Sequence, residues 1–217
     1  MGDVTDSVAR DREAFVGRTG VSRETLADLD RYAALLLQWQ KSINLVSAST
    51  LPDIWSRHFM DSWQLLSLMP EALHWTDLGS GAGFPGAVIA IALKHRVGAK
   101  VSMIESNGKK AAFLQTVVRE TKSPATIITG RIEHKLAGSG TIDVITARAL
   151  APLVQLIEWS EPHLNTGATG LFSKGRDVDN ELRDAAIYWD MDYTIIPSLV
   201  ESGSCIVKIT SATPLRR

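Results

Sequence analysis

At 217 residues, with 45% hydrophobic and 22% charged side chains, the chain has the composition of a folded domain, which excludes a disordered or fibrous protein. Its formal net charge of −1, from 23 Lys and Arg against 24 Asp and Glu, excludes a protein that grips nucleic acid through its global field, so any RNA contact must be local. A single cysteine, Cys205, excludes an internal disulfide and a cysteine-built metal site; in the alternating run Cys205, Val207, Ile209 it reads as a strand residue and not a nucleophile.

Residues 1–12 are polar and of mixed charge, with no apolar leader core, and nowhere does an apolar run approach the roughly 18 residues of a membrane span. A cytoplasmic protein without a membrane partner is expected. From Ser22 to Ser42, Leu26, Leu29, Ala33, Leu36, Leu37 and Ile43 recur at threes and fours behind a Ser22 N-cap, which predicts an amphipathic helix. A second helical stretch runs from Pro52 to Met69 and stops at Pro70. Residues 1–70 thus form an N-terminal helical extension, and 71–217 a separate pattern in one unit. There, strands near 74–79, 100–105, 125–129, 141–147 and 168–174 alternate with helices near 85–97, 108–121, 151–161 and 177–190. That alternation specifies a parallel sheet. Two last alternating runs, 192–196 and 204–209, suit a terminal antiparallel pair. The expected fold is α/β: a seven-stranded, mostly parallel, Rossmann-like sheet with helices on both faces, as in class I methyltransferases. Basic clusters at Lys94 to Lys100, Lys109 and Lys110, Lys174 and Arg176, and Arg216 and Arg217 read as solvated helix ends and loops.

The first strand runs into Asp77-Leu-Gly-Ser-Gly-Ala-Gly-Phe-Pro-Gly86. Glycines at alternate positions let a backbone turn tightly and let a ligand approach main-chain N–H groups, so this is a nucleotide-cofactor loop. Gly81 to Gly86 matches the dinucleotide fingerprint G-x-G-x-x-G, and Glu105 follows as the acidic residue that fingerprint needs. Two features move the reading from NAD to S-adenosylmethionine. Asp77 gives D-x-G-x-G-x-G, with an acid able to meet the cofactor's amino group, and the remaining chain is absorbed by one sheet, with no room for a dehydrogenase's substrate domain.

Ligands of open parallel sheets bind outside the carboxyl ends of the strands. Those ends offer Asp77, Gly79 and Gly81; Glu105, whose carboxylate can accept both hydroxyls of a ribose; Ile132 and Glu133, where an adenine is commonly held; Arg148; and Lys174. Glu133 fits a surface capping acid as well as an adenine contact, and Arg148 fits a carboxylate, a phosphate or a flipped base in a cofactor cleft, or else a surface ion pair. Arg148 and Lys174 are the candidates for positioning the acceptor. The fourth strand, Thr146-Ala147-Arg148-Ala149-Leu150, lacks the Asn/Asp-Pro-Pro-aromatic motif of amino-directed methyltransferases, and no cysteine is placed for pyrimidine C5 chemistry. What remains is an acceptor needing little activation, such as guanine N7, for which in-line positioning supplies most of the rate.

With Trp39 to Ser47, Arg57-His58-x-x-Asp61-Ser62, the Phe84-Pro85-Gly86 ending, Gly130-Arg131-x-Glu133, Arg148-Ala149 and Lys174-Gly175, nearly the whole chain resembles the glucose-inhibited division protein B family, also called ribosomal RNA small subunit methyltransferase G. The resemblance implies S-adenosylmethionine-dependent N7-methylation of a guanine in the 530 loop of 16S rRNA, at position 527 by the family's name. It also implies cofactor contacts from Gly79, Phe84, Ile132, Glu133 and Arg148. The partner it implies is 16S rRNA, within the small ribosomal subunit or an assembly intermediate, and a monomer is expected. Arg57, His58 and Asp61 mark the family, but as physical chemistry they fit a capped helix with a surface salt bridge equally well. The rival readings are a small-molecule methyltransferase of the same fold, and an RNA-binding assembly protein that keeps the loop only structurally.

Overall fold

The stretch Gly86–Ala92 carries no polar side chain, and a helix that is apolar all round has to be buried all round. In the computed structural model, which describes residues 2–215, Ala87 to Ile91 are indeed at most 1% exposed. The strands are β1 (His74–Leu78), β2 (Lys100–Glu105), β3 (Ala125–Thr129), β4 (Val144–Arg148), β5 (Thr169–Lys174), β6 (Trp189–Pro197) and β7 (Cys205–Pro214). They form one seven-stranded sheet in the order β3-β2-β1-β4-β5-β7-β6. The first five pair in parallel, while β7 runs antiparallel to both β5 and β6.

The helices are α1 (Gly2–Thr19), α2 (Arg23–Trp39), α3 (Asp61–Leu68), α4 (Gly86–Ala92), α5 (Gly108–Thr121), α6 (Ile132–Lys135), α7 (Leu153–Leu164) and α8 (Val178–Ala186), with a π-helical stretch, Trp55–Met60, running directly into α3. One face of the sheet is covered by α4 and α5 together with the N-terminal helices, so that Leu29, Tyr32, Phe59 and Leu65 share a core with Ile89, Met103 and Phe113. The other face packs α6, α7 and α8 through Ile132, Leu156, Ile157 and Leu182 against Leu78, Ile145 and Phe172. This is the α/β, Rossmann-like architecture that the alternation of runs specifies.

Local chemistry sets most boundaries. The Ser22 hydroxyl accepts from Thr25 N at 3.2 Å and starts α2, and the Asn107 side chain accepts from Lys109 N and Lys110 N at 3.0 and 3.2 Å and starts α5. β4 begins at Val144 and not at 141, because Asp143 turns its carboxylate to accept from Leu73 N and His74 N, each at 2.8 Å. The helix α1 falls where the sequence offers only a polar segment. It is held by Phe15, buried against Trp55 with ring centroids 5.3 Å apart, and by Asp11, which accepts from Trp55 N at 2.8 Å and Ser56 N at 3.1 Å. Of the basic clusters, Lys94 is paired with Asp28 at 2.6 Å, and Arg216 with Arg217 lies outside the described residues.

The chain leaves β1 toward β2 and β3 on one side and returns to β4 on the other, so the crevice between β1 and β4 is the switch point at which such sheets bind ligands. Asp77 lies at this point, 1% exposed. Its Oδ1 accepts from the Thr146 hydroxyl of β4 at 2.8 Å and its Oδ2 from Gly86 N at the start of α4 at 3.3 Å. A Cβ on Gly86 would stand 2.8 Å from that oxygen, so no side chain fits there. Burial lifts the Asp77 carboxyl from its ordinary 3.8 to about 6, with Ser80, Thr146 and Gly86 pulling the other way.

This shift has a definite sign in the stability profile. As pH rises past 3.8 the unfolded carboxyl ionises, whereas the folded one keeps its proton until about 6. The folded state therefore binds more protons in that window, and stability falls as pH rises through it. Urea denaturation across the window should show a steeper loss for the wild type than for Asp77→Asn, which has no proton to release; parallel profiles would mean that Asp77 does not hold its proton in the fold.

Candidate functional site

Among the described residues, three hollows at the carboxyl edge of the sheet share the wall at Ala149; one of about 570 Å³ lies between the ends of β4 and β5 and α8, and the other two gather most of the expected site residues. The first of these two, of about 430 Å³, is lined by Gly79, Gly81, Glu105, Ile132 and Glu133, joined by Lys110, Arg131, Gln155 and Trp159. The second, of about 340 Å³, is lined by Arg57, His58, Asp61, Arg148, Lys174, Ser198, Glu201 and Cys205. Ala149 lies between them with φ of 51°, a left-handed conformation that costs a non-glycine residue of order 1 kcal/mol and is met chiefly where function holds the backbone.

In the first hollow, Gly79 and Gly81 take φ of 62° and 57°, and a Cβ on Gly79 would come within 2.4 Å of Leu150. Glu105 ends β2 and is 7% exposed. It accepts from Gly81 N at 2.8 Å with one oxygen and from Asn107 N at 2.6 Å with the other, so it ties the glycine loop to the start of α5 while forming part of the wall. Each oxygen keeps a further lone pair for a ligand hydroxyl. Ile132 and Glu133 open α6, where the first N–H groups of a helix have no intrahelical acceptor. Five of the residues expected at the cofactor, Gly79, Gly81, Glu105, Ile132 and Glu133, thus meet in one hollow.

The other expected residues stand elsewhere. Asp77 does not line the hollow: it is buried beneath the glycine loop, where Oδ1 accepts from the Thr146 hydroxyl and Oδ2 from Gly86 N. Phe84 is 5% exposed and lies among aromatic rings, with centroids 5.3 Å from Tyr32, 5.0 Å from His58 and 5.3 Å from Phe59. A ring enclosed in this way anchors the loop to the helical extension. Arg148 belongs to the second hollow. Its guanidinium lies 5.3 Å above the Phe84 ring and donates to Asp61 Oδ2 at 3.2 Å. Lys174 is held inward, donating to Ala151 O at 2.8 Å and to Glu181 Oε2 at 2.6 Å, and Glu181 also accepts from Leu153 N at 2.6 Å. It therefore pins the loop after β4 and has little capacity left for a ligand.

Arg57, His58 and Asp61 all line the second hollow, Asp61 pairing with the largely buried Arg148 and Arg57 forming a half-exposed ion pair with Glu201. The hollow's electrostatics disfavour a general base. Burial and the neighbouring Arg148 and Arg57 push the His58 imidazolium down to about 3, so the ring is neutral at physiological pH, and its Nε2 is engaged with the Thr50 hydroxyl at 2.9 Å. Burial raises the Asp61 carboxyl, against the pull of Arg148, and burial pushes the Cys205 thiol up, away from thiolate chemistry. Trp159 and Glu201 escape the sequence reading, and Thr146 and Ala149 enter it only as part of the fourth-strand motif, with no role of their own. Thr146 had a signal, standing two residues before Arg148 on the same strand, whereas Ala149 and Glu201 are brought to the site only by the packing of loops.

The profile of the family described as rRNA small subunit methyltransferase G matches residues 25–205. A ribosomal RNA small subunit methyltransferase G of Methylobacterium sp. (strain 4-46) is 49% identical over 205 residues, covering 94% of this chain and 97% of the relative. That of Bradyrhizobium sp. (strain ORS 278) is 50% identical over 205 residues, covering 94% and 92%. Among solved structures, an O-methyltransferase from Bacillus cereus in complex with SAH superposes with a TM-score of 0.59 at 15% identity, over 95% of this chain and 99% of that one. A putative O-methyltransferase from Klebsiella pneumoniae gives 0.59 at 10% identity, over 95% and 98%. These likenesses show the class I methyltransferase fold, and the match of family profile and near-full-length relatives shows that the chain belongs to the rRNA small subunit methyltransferase G family.

Proposed function

We propose that the protein transfers a methyl group from S-adenosylmethionine to N7 of a guanine in the 530 loop of 16S rRNA, guanine-527 by the family's name, by direct in-line transfer. The observation that carries this reading is the meeting of two hollows at Ala149, one suited to a nucleoside and the other to a base without a proton to lose. The residues of the first hollow fit the cofactor. Glu105 has free lone pairs at the wall for ribose hydroxyls, Gly79 and Gly81 present no side chain to a ligand's approach, and Ile132 offers an apolar side chain and a helix-start N–H to an adenine. When bound there, S-adenosylmethionine supplies an electrophilic sulfonium methyl.

The chain's own groups then have to orient the acceptor and keep charge in place. Guanine N7 carries a free lone pair at neutral pH, so attack needs no base, in keeping with a neutral His58 and an Asp61 committed to Arg148. Arg148, stacked on Phe84 and held by Asp61, presents its guanidinium at the junction, where it can donate to the base's O6. Loop fixation by Lys174 and Glu181 keeps Ala149 from drifting, and misplacement of reacting atoms by an ångström is costly to rate. The partner in this reading is the small ribosomal subunit or an assembly intermediate, met by a monomer.

Replacing Glu105 by Ala should weaken S-adenosylmethionine binding at least about tenfold, the loss of about 1.4 kcal/mol or more expected from charge-assisted bonds to the ribose. Isothermal titration measures it, and unchanged affinity would remove Glu105 from the cofactor site. For the activity itself, subunits from cells lacking the protein should gain N7-methylguanosine in the 530-loop fragment on incubation with enzyme and S-adenosylmethionine, read by mass spectrometry. Turnover of a small molecule with unmodified rRNA would favour the small-molecule reading instead.

A further inference from the structure

The second hollow has a wall that methyl transfer by itself leaves unexplained, the turn 198–204 between β6 and β7. The turn is exposed, yet it is tied to the N-terminal helices: Leu199 N donates to Gln64 Oε1 at 2.9 Å, and Arg18 donates to Leu199 O at 3.1 Å. It is also closed on itself, with Ser198 N donating to Ser204 O at 2.9 Å and Ser204 N to Glu201 O at 3.1 Å. A side chain carried here has a defined place beside the hollow.

Among the described residues, two carboxylates line this hollow, Asp61 and Glu201. Asp61 is committed, accepting from Gln64 Nε2 at 2.8 Å and from Arg148 at 3.2 Å. Glu201 is not. Its partner is Arg57, at 3.5 Å, and the two side chains are 46% and 44% exposed, so the pair is worth little and opens at small cost.

We propose that Glu201 accepts the N1–H and 2-amino donors of the target guanine, and is thereby the residue that selects guanine at this site; the proposal rests on the reading of the chain as a guanine-N7 methyltransferase. Orientation follows from the sheet. The methyl arrives from the side of Ala149, at the end of β4, so N7 must face that side. N1 and the 2-amino group lie on the opposite edge of the purine. In the order β4-β5-β7, the start of β7 stands two strand spacings from β4, about 10 Å away, and the turn bearing Glu201 leads into it. A carboxylate there matches two neighbouring donors in bidentate fashion. Adenine would offer an acceptor at N1 and no 2-amino group, leaving the carboxylate opposed and unpaired. Arg57, released from Glu201, is left to meet a backbone phosphate at the mouth.

The test uses small subunits reconstituted with 16S rRNA carrying either guanosine or inosine at the target; inosine keeps N7, O6 and N1–H but lacks the 2-amino group. The wild-type protein is expected to favour guanosine by about tenfold or more in kcat/KM, the size of the one hydrogen bond from the 2-amino group to a charged acceptor that inosine lacks. Glu201→Ala is expected to bring the ratio close to one, mainly by slowing guanosine. A wild-type protein indifferent to the replacement overturns the proposal without help from any variant. So does a Glu201→Ala protein that slows both substrates equally, as a merely structural role would. Failure of the wild type to methylate either subunit would instead sink the N7-methyltransferase reading, and this proposal with it.

Discussion

One carboxylate without access to water, Asp77 at the crossing of β1, β4 and α4, constrains everything around it. A buried charge is tolerated only where hydrogen-bond donors meet it. The donors come from β4, through the Thr146 hydroxyl, and from the first turn of α4, through Gly86 N. Meeting Asp77 therefore fixes three elements against one another, and it forces glycine at 86, where a Cβ would strike the same carboxylate. The loop from Gly79 to Pro85 is what remains to span a gap whose two ends are set. Its position is owed to the acid beneath it.

The helical extension takes part in this arrangement through aromatic packing. Tyr32 donates its hydroxyl to Ala82 O in the loop, and its ring packs on both Phe59 and Phe84. His58 stacks on Phe84, and Arg148 lies over the same ring while pairing with Asp61. A single phenylalanine of the glycine loop thus joins the N-terminal helices, the cofactor loop and the end of β4. The π-helical stretch supplies Arg57 and His58 and runs straight into Asp61, so a motif that reads as a family mark in the sequence is the floor of the second hollow. Keeping His58 neutral beside two guanidinium groups follows from the same packing, since a second buried positive charge there would be repelled and poorly hydrated.

Most of the sheet was legible because its strands are short apolar runs bounded by turn residues, and their order follows from the alternation with helices. The alternation also held information on Asp77. It shares a face of β1 with Trp75, which packs toward α4, while Leu78 belongs to the opposite core. An acid on that face points under the helix. Helix α1 was not legible, because its polar sequence offers little apolar periodicity and Phe15 and Asp11 acquire meaning only against Trp55, forty residues later. Nor were the second hollow and Ala149, which depend on how the loops after β4 and before β7 meet the extension in space.

A nearly neutral chain that belongs to an rRNA methyltransferase family has to manage its cations. Here many are consumed internally: Lys94 by Asp28, Arg12 by Asp30, Arg31 by Glu120, Arg148 by Asp61 and Lys174 by Glu181. Those pairs hold helices and loops in place, and among the described residues lining the two hollows Lys110 has no ion pair while Arg131 and Arg57 are weakly paired. An enzyme built this way cannot rely on counterion release over a broad basic face. Recognition of rRNA in such a family has to rest on local contacts and on shape and not on the protein's overall field.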